Sequence, residues 1–339
     1  MNPLELMYYT GYSLKKSHDL RNQRKLPHRV ISVGNITTGG TGKTPAVIAL
    51  AGKAKEYGYQ PCILTRGYMG KKKGPCFISK GTGALLDADE AGDEPVLMAQ
   101  RLKGVPIVKG KDRYEAGMFA IDEFKSIQHS AFKIQKLLFI LDDGFQHWRL
   151  HRDLDILLID GTNPFGNGKL LPSGILREPL NEIRRSDVIA LTRHTPGAAV
   201  EPVINEIKKY NTSAPVFVSG HRPKCLKTIS GAELPLNALN GKKVLGFCGI
   251  GNPGSFKKTL VDINADLRDF IIFRDHYKYN LNNISAVKRA AERVNADWIV
   301  TTEKDIMKLS KSDVPENLVF LEIEFMADKE FYERVLAEV

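Results

Sequence analysis

A glycine-rich stretch near the start of the chain has residue types suited to holding phosphate groups. Residues 33–45 read VGNITTGGTGKTP, and the last six residues of 37–44 match the end of a G-x-x-x-x-G-K-[ST] motif, although Thr37 replaces its first glycine. Glycines let backbone N–H groups face inward, and the adjacent lysine can reach the β- and γ-phosphates. We therefore predict a nucleotide site in this loop, where the Thr44 hydroxyl could also bind Mg²⁺. The residues of the site are Thr38, Gly39, Gly40, Thr41, Gly42, Lys43 and Thr44.

Two details narrow the kind of nucleotide site. ATPases that switch between monomer and dimer with a similar loop carry a signature lysine where Thr38 stands, so this chain does not fit that class. Guanine-specific proteins use [NT]-K-x-D, whereas residues 302–305 read TEKD, the right letters in the wrong order. We therefore expect adenine, and hence ATP.

A second stretch supplies acids for a metal ion. Residues 136–147 read KLLFILDDGFQH, an apolar run that ends in Asp142 and Asp143. An apolar strand ending in a carboxylate is typical of the element that holds Mg²⁺, or its water, beside a bound nucleotide. Together with the glycine-rich loop, this stretch predicts a metal-dependent phosphate site.

The elements that must position these residues follow from the apolar pattern. A strand is predicted at Arg29–Gly34 and a helix at Thr44–Glu56, and short buried strands then alternate with helices. This alternation indicates an α/β fold of the P-loop NTPase type, a mostly parallel sheet with helices on both faces. A second alternation after residues 196–223 predicts a smaller C-terminal α/β domain. We therefore divide the chain into domains 1–218 and 219–339, with the smaller one expected to close over an active-site cleft.

Composition bounds the class of protein. The chain has 339 residues, which favours two domains, and its four cysteines form no CxxC pair, which argues against a zinc site or a disulfide framework. No segment approaches the roughly 18 apolar residues of a membrane span. The net charge of +10 suits either a solvated basic surface or an anionic partner. Few aromatic residues lie among these charges, so no nucleic-acid partner is expected.

The first twenty or so residues have the pattern of an interfacial helix. Leu4, Tyr8 and Tyr12 recur at helical spacing, and six basic residues follow between 15 and 25. An apolar stripe beside a basic cluster suits binding to an anionic membrane surface. The alternative is a helix packed on its own domain.

A second glycine-rich stretch invites a different interpretation. Residues 249–254 read GIGNPG after a predicted strand, which spells a dinucleotide-binding motif. Pro253 fits poorly in a loop that presents N–H groups to pyrophosphate, and Asp275, the candidate ribose acid, has a histidine beside it. We therefore do not expect a nicotinamide cofactor.

Taken in order, the remaining motifs carry a resemblance to a known family. They are GNITTGGTGKTP, TRGY (65–68), AGDEP (91–95), DDGFQH (142–147), GNGKLLPSGILREP (166–179), GIGNP, RDHY (274–277) and TTEKD (301–305). Together they resemble the tetraacyldisaccharide 4'-kinases, the lipid A 4'-kinases of Gram-negative bacteria, over residues 4–309. The resemblance implies transfer of the γ-phosphate of ATP, with Mg²⁺, to the 4'-hydroxyl of an acylated disaccharide 1-phosphate. It also implies a peripheral enzyme at the cytoplasmic face of the inner membrane, and we expect a monomer.

The resemblance also implies roles for individual residues. Lys43 and Thr44 would hold the phosphates and Mg²⁺, and Asp93 and His276 match a catalytic dyad, with Asp143 beside them. An Asp–His pair can take the proton of a sugar hydroxyl, but the sequence does not decide which member accepts it. Without the family, a helix N-cap for Asp93 and a satisfied surface histidine for His276 are the favoured explanations; with the family, catalysis is favoured. The remaining implied residues are Asp142, Gln146 and Glu178 around the metal and Arg177 at the transition state.

A different class of function uses the same loop. An ATP-switched targeting or scaffold protein at a membrane would also need a phosphate loop and a basic N-terminus. Such a switch has no use for Asp93 and His276, so this pair distinguishes the two hypotheses.

Overall fold

A computed structural model describes residues 2–68, 70–126, 136–193, 199–309 and 314–337. The chain divides into two compact units. The larger unit contains Met1–His221 and Phe325–Val339, and the smaller unit contains Arg222–Glu324. The predicted domain boundary, between residues 218 and 219, thus lies three residues before the chain first passes from the larger unit to the smaller one, between His221 and Arg222.

The larger unit is built on an eight-stranded sheet in the order β3-β4-β2-β5-β1-β6-β7-β8. All of its strand pairs are parallel except the pair of edge strand β3 with β4. The strands are β1 (Arg29–Gly34), β2 (Gln60–Thr65), β3 (Cys76–Lys80), β4 (Pro106–Lys109), β5 (Leu137–Asp142), β6 (Leu154–Asp160), β7 (Val188–Thr192) and β8 (Val216–Val218).

Central strands of this sheet are apolar because both of their faces are covered. All six residues of β5, LLFILD, are buried, as a strand between two helical layers requires. Among the described residues, the α-helices that come before β8 in the chain are α1 (Pro3–Arg21), α2 (Lys43–Glu56), α3 (Ala88–Ala91), α4 (Asp93–Arg101), α5 (Arg113–Ser126) and α6 (Glu201–Lys208). A 3-10 helix spans Leu180–Arg185. The predicted fold class is confirmed.

The smaller unit has a six-stranded sheet in the order β10-β9-β14-β13-β11-β12. Its strands are β9 (Gly220–Thr228), β10 (Glu233–Leu234), β11 (Lys243–Cys248), β12 (Asp266–Ile272), β13 (Trp298–Thr302) and β14 (Leu318–Met326). Strand β11 pairs in parallel with both β12 and β13, as expected for an α/β unit. Its helices are α7 (Pro253–Asp262), α8 (Leu281–Arg293) and α9 (Glu303–Ile306), with a 3-10 turn at Leu236–Leu239.

The last helix, α10 (Lys329–Leu336), differs from the sequence prediction. It was assigned to the smaller domain, but it belongs to the larger unit. Its Phe331 ring packs edge-on against Phe217 of β8, with 5.6 Å between ring centroids. The Arg29 guanidinium donates to the carbonyl oxygens of Val335 and Ala337, which ties the helix end to β1.

Among the helices of the described residues, none combines the length and the apolar content that crossing a membrane requires.

Candidate active site

The glycine-rich loop joins β1 to α2 at the carboxyl end of the central strands. Gly39 and Gly42 have φ values of 98° and 81°, in the left-handed region that glycine adopts without strain. Helix α2 begins at Lys43, directly after Gly42, and no side chain caps it. An uncapped helix start leaves backbone N–H groups and the positive dipole end for an anion.

The first half of this loop is paired with a distant segment, residues 175–177. The Thr38 N–H donates to the Ile175 carbonyl oxygen at 2.7 Å, and the Arg177 N–H donates to the Ile36 carbonyl oxygen at 2.7 Å. Thr37 also forms an antiparallel bridge with Leu176. Thr37, which stands in place of the usual first glycine, and Thr38 therefore form a short strand-like contact with residues 175–177.

Lys43 lies between an amide and a carboxylate. Its Nζ is 3.1 Å from Asn35 Oδ1 and 3.4 Å from Asp143 Oδ1. Arg177 Nη1 is 3.1 Å from the other oxygen of Asp143. Burial alone would raise the pKa of Asp143, but Lys43 and Arg177 outweigh it and hold that pKa at about 2. The carboxylate is therefore ionised and keeps both cations at the mouth of the loop.

Asp142 is in a different environment from its neighbour. The Thr65 hydroxyl donates to Asp142 Oδ2 at 3.0 Å, whereas the buried Oδ1 has no hydrogen-bond partner among the described residues. Burial, reinforced by Glu94 and Asp143, raises the pKa of Asp142 to about 7. A buried carboxylate oxygen without a partner is costly unless a cation binds it, so Asp142 fits a metal ligand.

The donor set around Asp142 suits Mg²⁺ better than a metal caged by protein. The described residues contain no group of three or more His, Cys, Asp or Glu side chains able to hold a metal ion. Mg²⁺ usually keeps several waters and takes one or two protein oxygens plus phosphate oxygens. Thr44, buried in the first turn of α2, and Asp142 supply such oxygens.

Glu178 has partners that the sequence prediction did not include. It is fully buried, and Arg185 Nη2 lies 2.7 and 2.6 Å from its two oxygens. The side-chain amide of Gln146 and the hydroxyl of Tyr12 also donate to this carboxylate. Gln146 in turn donates to the Asn35 carbonyl oxygen at 2.7 Å. Placement of Glu178 and Gln146 on the metal stays a prediction, and these contacts favour a supporting layer behind Asn35 and Arg177.

The two residues of the predicted dyad, Asp93 and His276, belong to different units. Asp93 is buried in the first turn of α4, where its Oδ1 accepts the Glu94 N–H at 2.9 Å. The cap position of α4 is occupied by Gly92, so Asp93 is not the N-cap that the alternative explanation required. His276, in the smaller unit, has a φ of 55°, and its N–H donates to Asp275 Oδ1 at 3.0 Å. Joint action of Asp93 and His276 stays a prediction.

The structure adds residues to the loop that sequence reasoning missed. The Thr192 hydroxyl, at the end of β7, donates to the Thr41 carbonyl oxygen at 2.9 Å. The His221 ring packs on Gly42 so closely that a Cβ there would lie 2.1 Å from its Cε1. Burial, followed by the charge of Arg193, lowers the pKa of His221 to about 4, so the ring is neutral. Because carboxyl ends of parallel strands share one sheet edge, the end of β7 could have been included from the sequence.

The N-terminal helix packs on its own domain through part of its apolar stripe, as the alternative expected, and exposes the rest. Leu4 is exposed, but Tyr8 and Tyr12, predicted to share an apolar face with it, direct their hydroxyls to acceptors in the loop around Arg177 and Glu178. A buried tyrosine needs a partner for its hydroxyl, and these acceptors supply one. The exposed apolar residues of this helix are Leu4, Leu6, Met7, Tyr9, Leu14 and Leu20.

Comparison with known proteins decides the family. Residues 1–339 match the family model described as Tetraacyldisaccharide-1-P 4'-kinase. This chain belongs to that family. A tetraacyldisaccharide 4'-kinase of Syntrophus aciditrophicus is 39% identical over 98% of this chain and 90% of its own length. One from Halothermothrix orenii is 40% identical over 84% of this chain and 75% of its own length.

A solved structure of the family has the same architecture. The crystal structure of LpxK from Aquifex aeolicus in complex with ATP is 34% identical, with a TM-score of 0.75, and the match covers 98% of this chain and 96% of that one. The family predicted from eight motifs is thus confirmed, and the chain is a kinase by descent. The uncapped start of α2 is where its own fold offers a phosphate site.

Proposed function

We propose that this protein transfers the γ-phosphate of ATP to the 4'-hydroxyl of an acylated disaccharide 1-phosphate. The observation that carries the proposal is the uncapped start of α2, with Lys43 held between Asn35 and Asp143. Phosphoryl transfer needs positioning and charge neutralisation more than covalent help, and this arrangement supplies both. The named relatives are 4'-kinases, which gives the acceptor.

Within this site each charged group has a distinct task. Loop N–H groups and Lys43 bind the phosphates, and Thr44 with Asp142 would hold Mg²⁺ through the oxygens described above. When bound, the ion neutralises charge on the β- and γ-phosphate oxygens. Arg177, kept beside Lys43 by their shared partner Asp143, lies where it can stabilise charge on the transferring group. Gln146 and Glu178 hold Asn35 and the Arg177 segment in place.

The acceptor hydroxyl must lose a proton, and we assign that step to Asp93 and His276. A carboxylate orients an imidazole and raises its basicity, so the pair can move a proton from the sugar oxygen. Asp93 is buried at the start of a helix whose first turn also carries Glu94, a neighbour of Asp142. Asp93 is therefore on the same sheet edge as the phosphate loop.

The lipid substrate implies a membrane partner, for which α1 is the candidate surface. Leu4, Met7 and Leu14 are 58%, 71% and 68% exposed and recur on one outer face of the helix. Lys15 and Arg21 flank that face, and the chain carries a net charge of +10. Apolar side chains beside basic ones suit the anionic cytoplasmic face of a Gram-negative inner membrane. We propose peripheral binding there, as a monomer.

The kinase is favoured over an ATP-switched scaffold. In a switch of that class, the residue at position 38 would reach a partner subunit. Here the Thr38 hydroxyl donates to the Ile175 carbonyl oxygen of its own chain at 3.3 Å. That residue is thus committed to internal packing.

The test is a direct assay of the reaction. Purified protein is given Mg²⁺, radiolabelled ATP and detergent-dispersed disaccharide 1-phosphate, and the lipid product is separated and its phosphate position determined. We expect a 4'-phosphate from wild type. Asp93→Ala should lower turnover at least about a hundredfold, whereas Asp89→Ala, an exposed acid on α3, should not. Absence of labelled lipid with the wild-type protein would refute the proposal.

A further inference from the structure

We infer that α1 is a strut that positions the catalytic arginine, with Tyr8, Tyr12 and Lys16 as positioning residues. The segment it holds, residues 175–178, is called the arginine segment below. The inference rests on the proposed function, because it takes Arg177 to act on the transferred phosphate. It adds that the helix facing the lipid surface and the residue that assists transfer form one mechanical unit.

The inner face of α1 contacts the arginine segment directly. The Tyr8 hydroxyl donates to the Arg177 carbonyl oxygen at 2.9 Å, and the Tyr12 hydroxyl donates to Glu178 Oε2 at 3.2 Å. These partners are more than 160 residues apart in sequence. The helix is therefore fixed to the segment by tertiary contacts, one to the backbone of the arginine and one to its neighbour.

A chain of charges makes a second connection one turn further along α1. Lys16 Nζ lies 2.6 Å from Glu182 Oε1, Glu182 accepts from Arg185 at 3.1 Å, and Arg185 pairs with Glu178. Apart from Lys16 and Arg185, which are slightly exposed, these groups are buried. Paired buried charges tolerate little displacement, because separating them leaves an uncompensated charge.

The other end of the same loop is held by the start of the helix. Glu5 Oε1 accepts the Leu170 N–H at 3.0 Å, and the Asn2 side chain donates to Ser173 Oγ at 2.7 Å. Helix α1 therefore contacts residues 170–178 near both ends. The loop is supported along its length and not at a single point.

On its far side the arginine segment forms part of the phosphate site. Ile175 and Arg177 exchange backbone hydrogen bonds with Thr38 and Ile36 of the glycine-rich loop, and the Arg177 guanidinium binds Asp143. The segment is thus a single layer between α1 and the phosphate loop. A displacement of α1 would act on Arg177 before any other group of the site.

The outer face of α1 links this support to the membrane. Leu4, Met7 and Leu14 are exposed, whereas Tyr8 and Tyr12 are half-buried and direct their hydroxyls to the arginine segment. A membrane surface that binds α1 only in this position also stabilises the position of the arginine segment, because binding of α1 and positioning of the segment are thermodynamically coupled. Turnover, and not affinity for ATP, should therefore respond to changes on the inner face.

The test removes one hydroxyl. Tyr12→Phe should lower kcat about tenfold, the effect of losing one hydrogen bond to a charged group, with KM for ATP changed less than twofold. Tyr9→Phe is the matched control. The Tyr9 ring is exposed and stacks on Tyr12, so this change removes a hydroxyl from the same helix while the ring contact stays, and kcat should keep its wild-type value. A charge test on the second connection uses two changes at Lys16. Lys16→Met removes the cation that pairs with Glu182 and should lower kcat, whereas Lys16→Arg keeps that charge and should retain most of it.

A second measurement does not depend on catalysis. Amide hydrogen exchange of residues 170–178 should be faster in Tyr12→Phe than in wild type and unchanged in Tyr9→Phe. Faster exchange with no lipid kinase activity in wild type would refute the proposed function but support the strut. Wild-type kcat and wild-type exchange in Tyr12→Phe, together with wild-type kcat in Lys16→Met, would overturn the strut itself.

Discussion

Two glycine-rich loops in this protein follow a parallel strand and lead into a helix, yet they differ in how the start of that helix is satisfied. In the larger unit, β1 leads through the loop to α2, whose start has no side-chain cap and where Lys43 faces Asn35 and Asp143. In the smaller unit, β11 leads through residues 249–254 to α7, whose start is capped by Asn252 through the Ser255 N–H at 3.1 Å.

In the second loop, the Gly249 N–H is already hydrogen-bonded within the chain. The Gly249 N–H donates to both oxygens of Asp305, each at 3.1 Å, and this fully buried acid also accepts from Tyr279 and Thr302. Lys308 lies 3.0 Å from the same carboxylate. By contrast, one buried oxygen of Asp142 in the larger unit has no hydrogen-bond partner among the residues that the structure describes.

The amino-acid sequence of a glycine-rich motif therefore does not by itself decide whether the loop binds a ligand. What decides it is whether the donors and acceptors around the helix start are already satisfied. A satisfied loop is structural, and an unsatisfied one has room for a ligand. The dinucleotide interpretation of residues 249–254 loses support on this ground as well as on the presence of Pro253.

The largest expected effect comes from removing the lysine of the first loop. Lys43→Ala should lower turnover at least about a hundredfold, a loss of roughly 2.7 kcal/mol of transition-state stabilisation. Lys257→Ala, an exposed lysine in the first turns of α7, is the matched change behind the second loop and should leave kcat unaltered. Steady-state kinetics with the lipid acceptor measures both. Equal losses in the two variants would show that the loops do not differ as argued.

A glycine pair sharpens the contrast in stability. Gly42→Ala places a Cβ against the His221 ring at a φ of 81°, and we expect a loss of about 2 to 3 kcal/mol in the free energy of unfolding. At Gly254, inside α7, the nearest atom to a Cβ is 3.7 Å away, so Gly254→Ala should stabilise by about 0.5 to 1 kcal/mol. Denaturant unfolding of both variants gives the comparison. A neutral Gly42→Ala would contradict the close packing on the first loop.

The histidine behind the first loop predicts a pH dependence of stability. Because the pKa of folded His221 is lowered to about 4, the unfolded chain, with an ordinary histidine, binds more protons between pH 6.5 and 4. Stability should therefore fall with decreasing pH in that window, by about 1 to 2 kcal/mol at pH 5 from this residue. Unfolding free energies of wild type and His221→Asn from pH 7.5 to 5 isolate the contribution. Parallel pH curves for the two proteins would remove it.

The smallest effect should follow from uncapping the second loop. Asn252→Ala removes the cap of α7 and should cost about 1 kcal/mol of stability while ATP affinity stays at the wild-type value. Thermal unfolding and nucleotide titration measure the two quantities. New nucleotide binding at the uncapped α7 would show that the cap alone separates a structural loop from a binding one.

How far the sequence could predict these features depends on the range of the contacts. The phosphate loop and the acids at the end of β5 follow from local pattern, because strand, turn and helix start are adjacent in the chain. The pairing of Thr38 with Ile175 joins residues 137 positions apart, and no periodicity reports it. The same holds for the contact of Tyr12 with Glu178, whose residues are 166 positions apart.

The inward direction of two α1 tyrosines could not be predicted for a related reason. Helical spacing identifies which side chains share a face, and Leu4, Tyr8 and Tyr12 lie close to one side. It does not tell that a tyrosine hydroxyl will find a buried acceptor, which turned two of these residues inward. The C-terminal helix was assigned to the smaller domain because it follows that domain in the chain, although its apolar face packs elsewhere.

The return of the chain to the larger unit at Phe325 has a consequence for biosynthesis. Residues 222–324 separate the first segment of the larger unit from α10, whose Phe331 and Val335 are buried. A ribosome making the protein must therefore finish the smaller unit before the larger one can bury its last helix. During that interval the larger unit has all eight of its strands but lacks the helix that packs on Phe217 of β8 and accepts from Arg29 of β1.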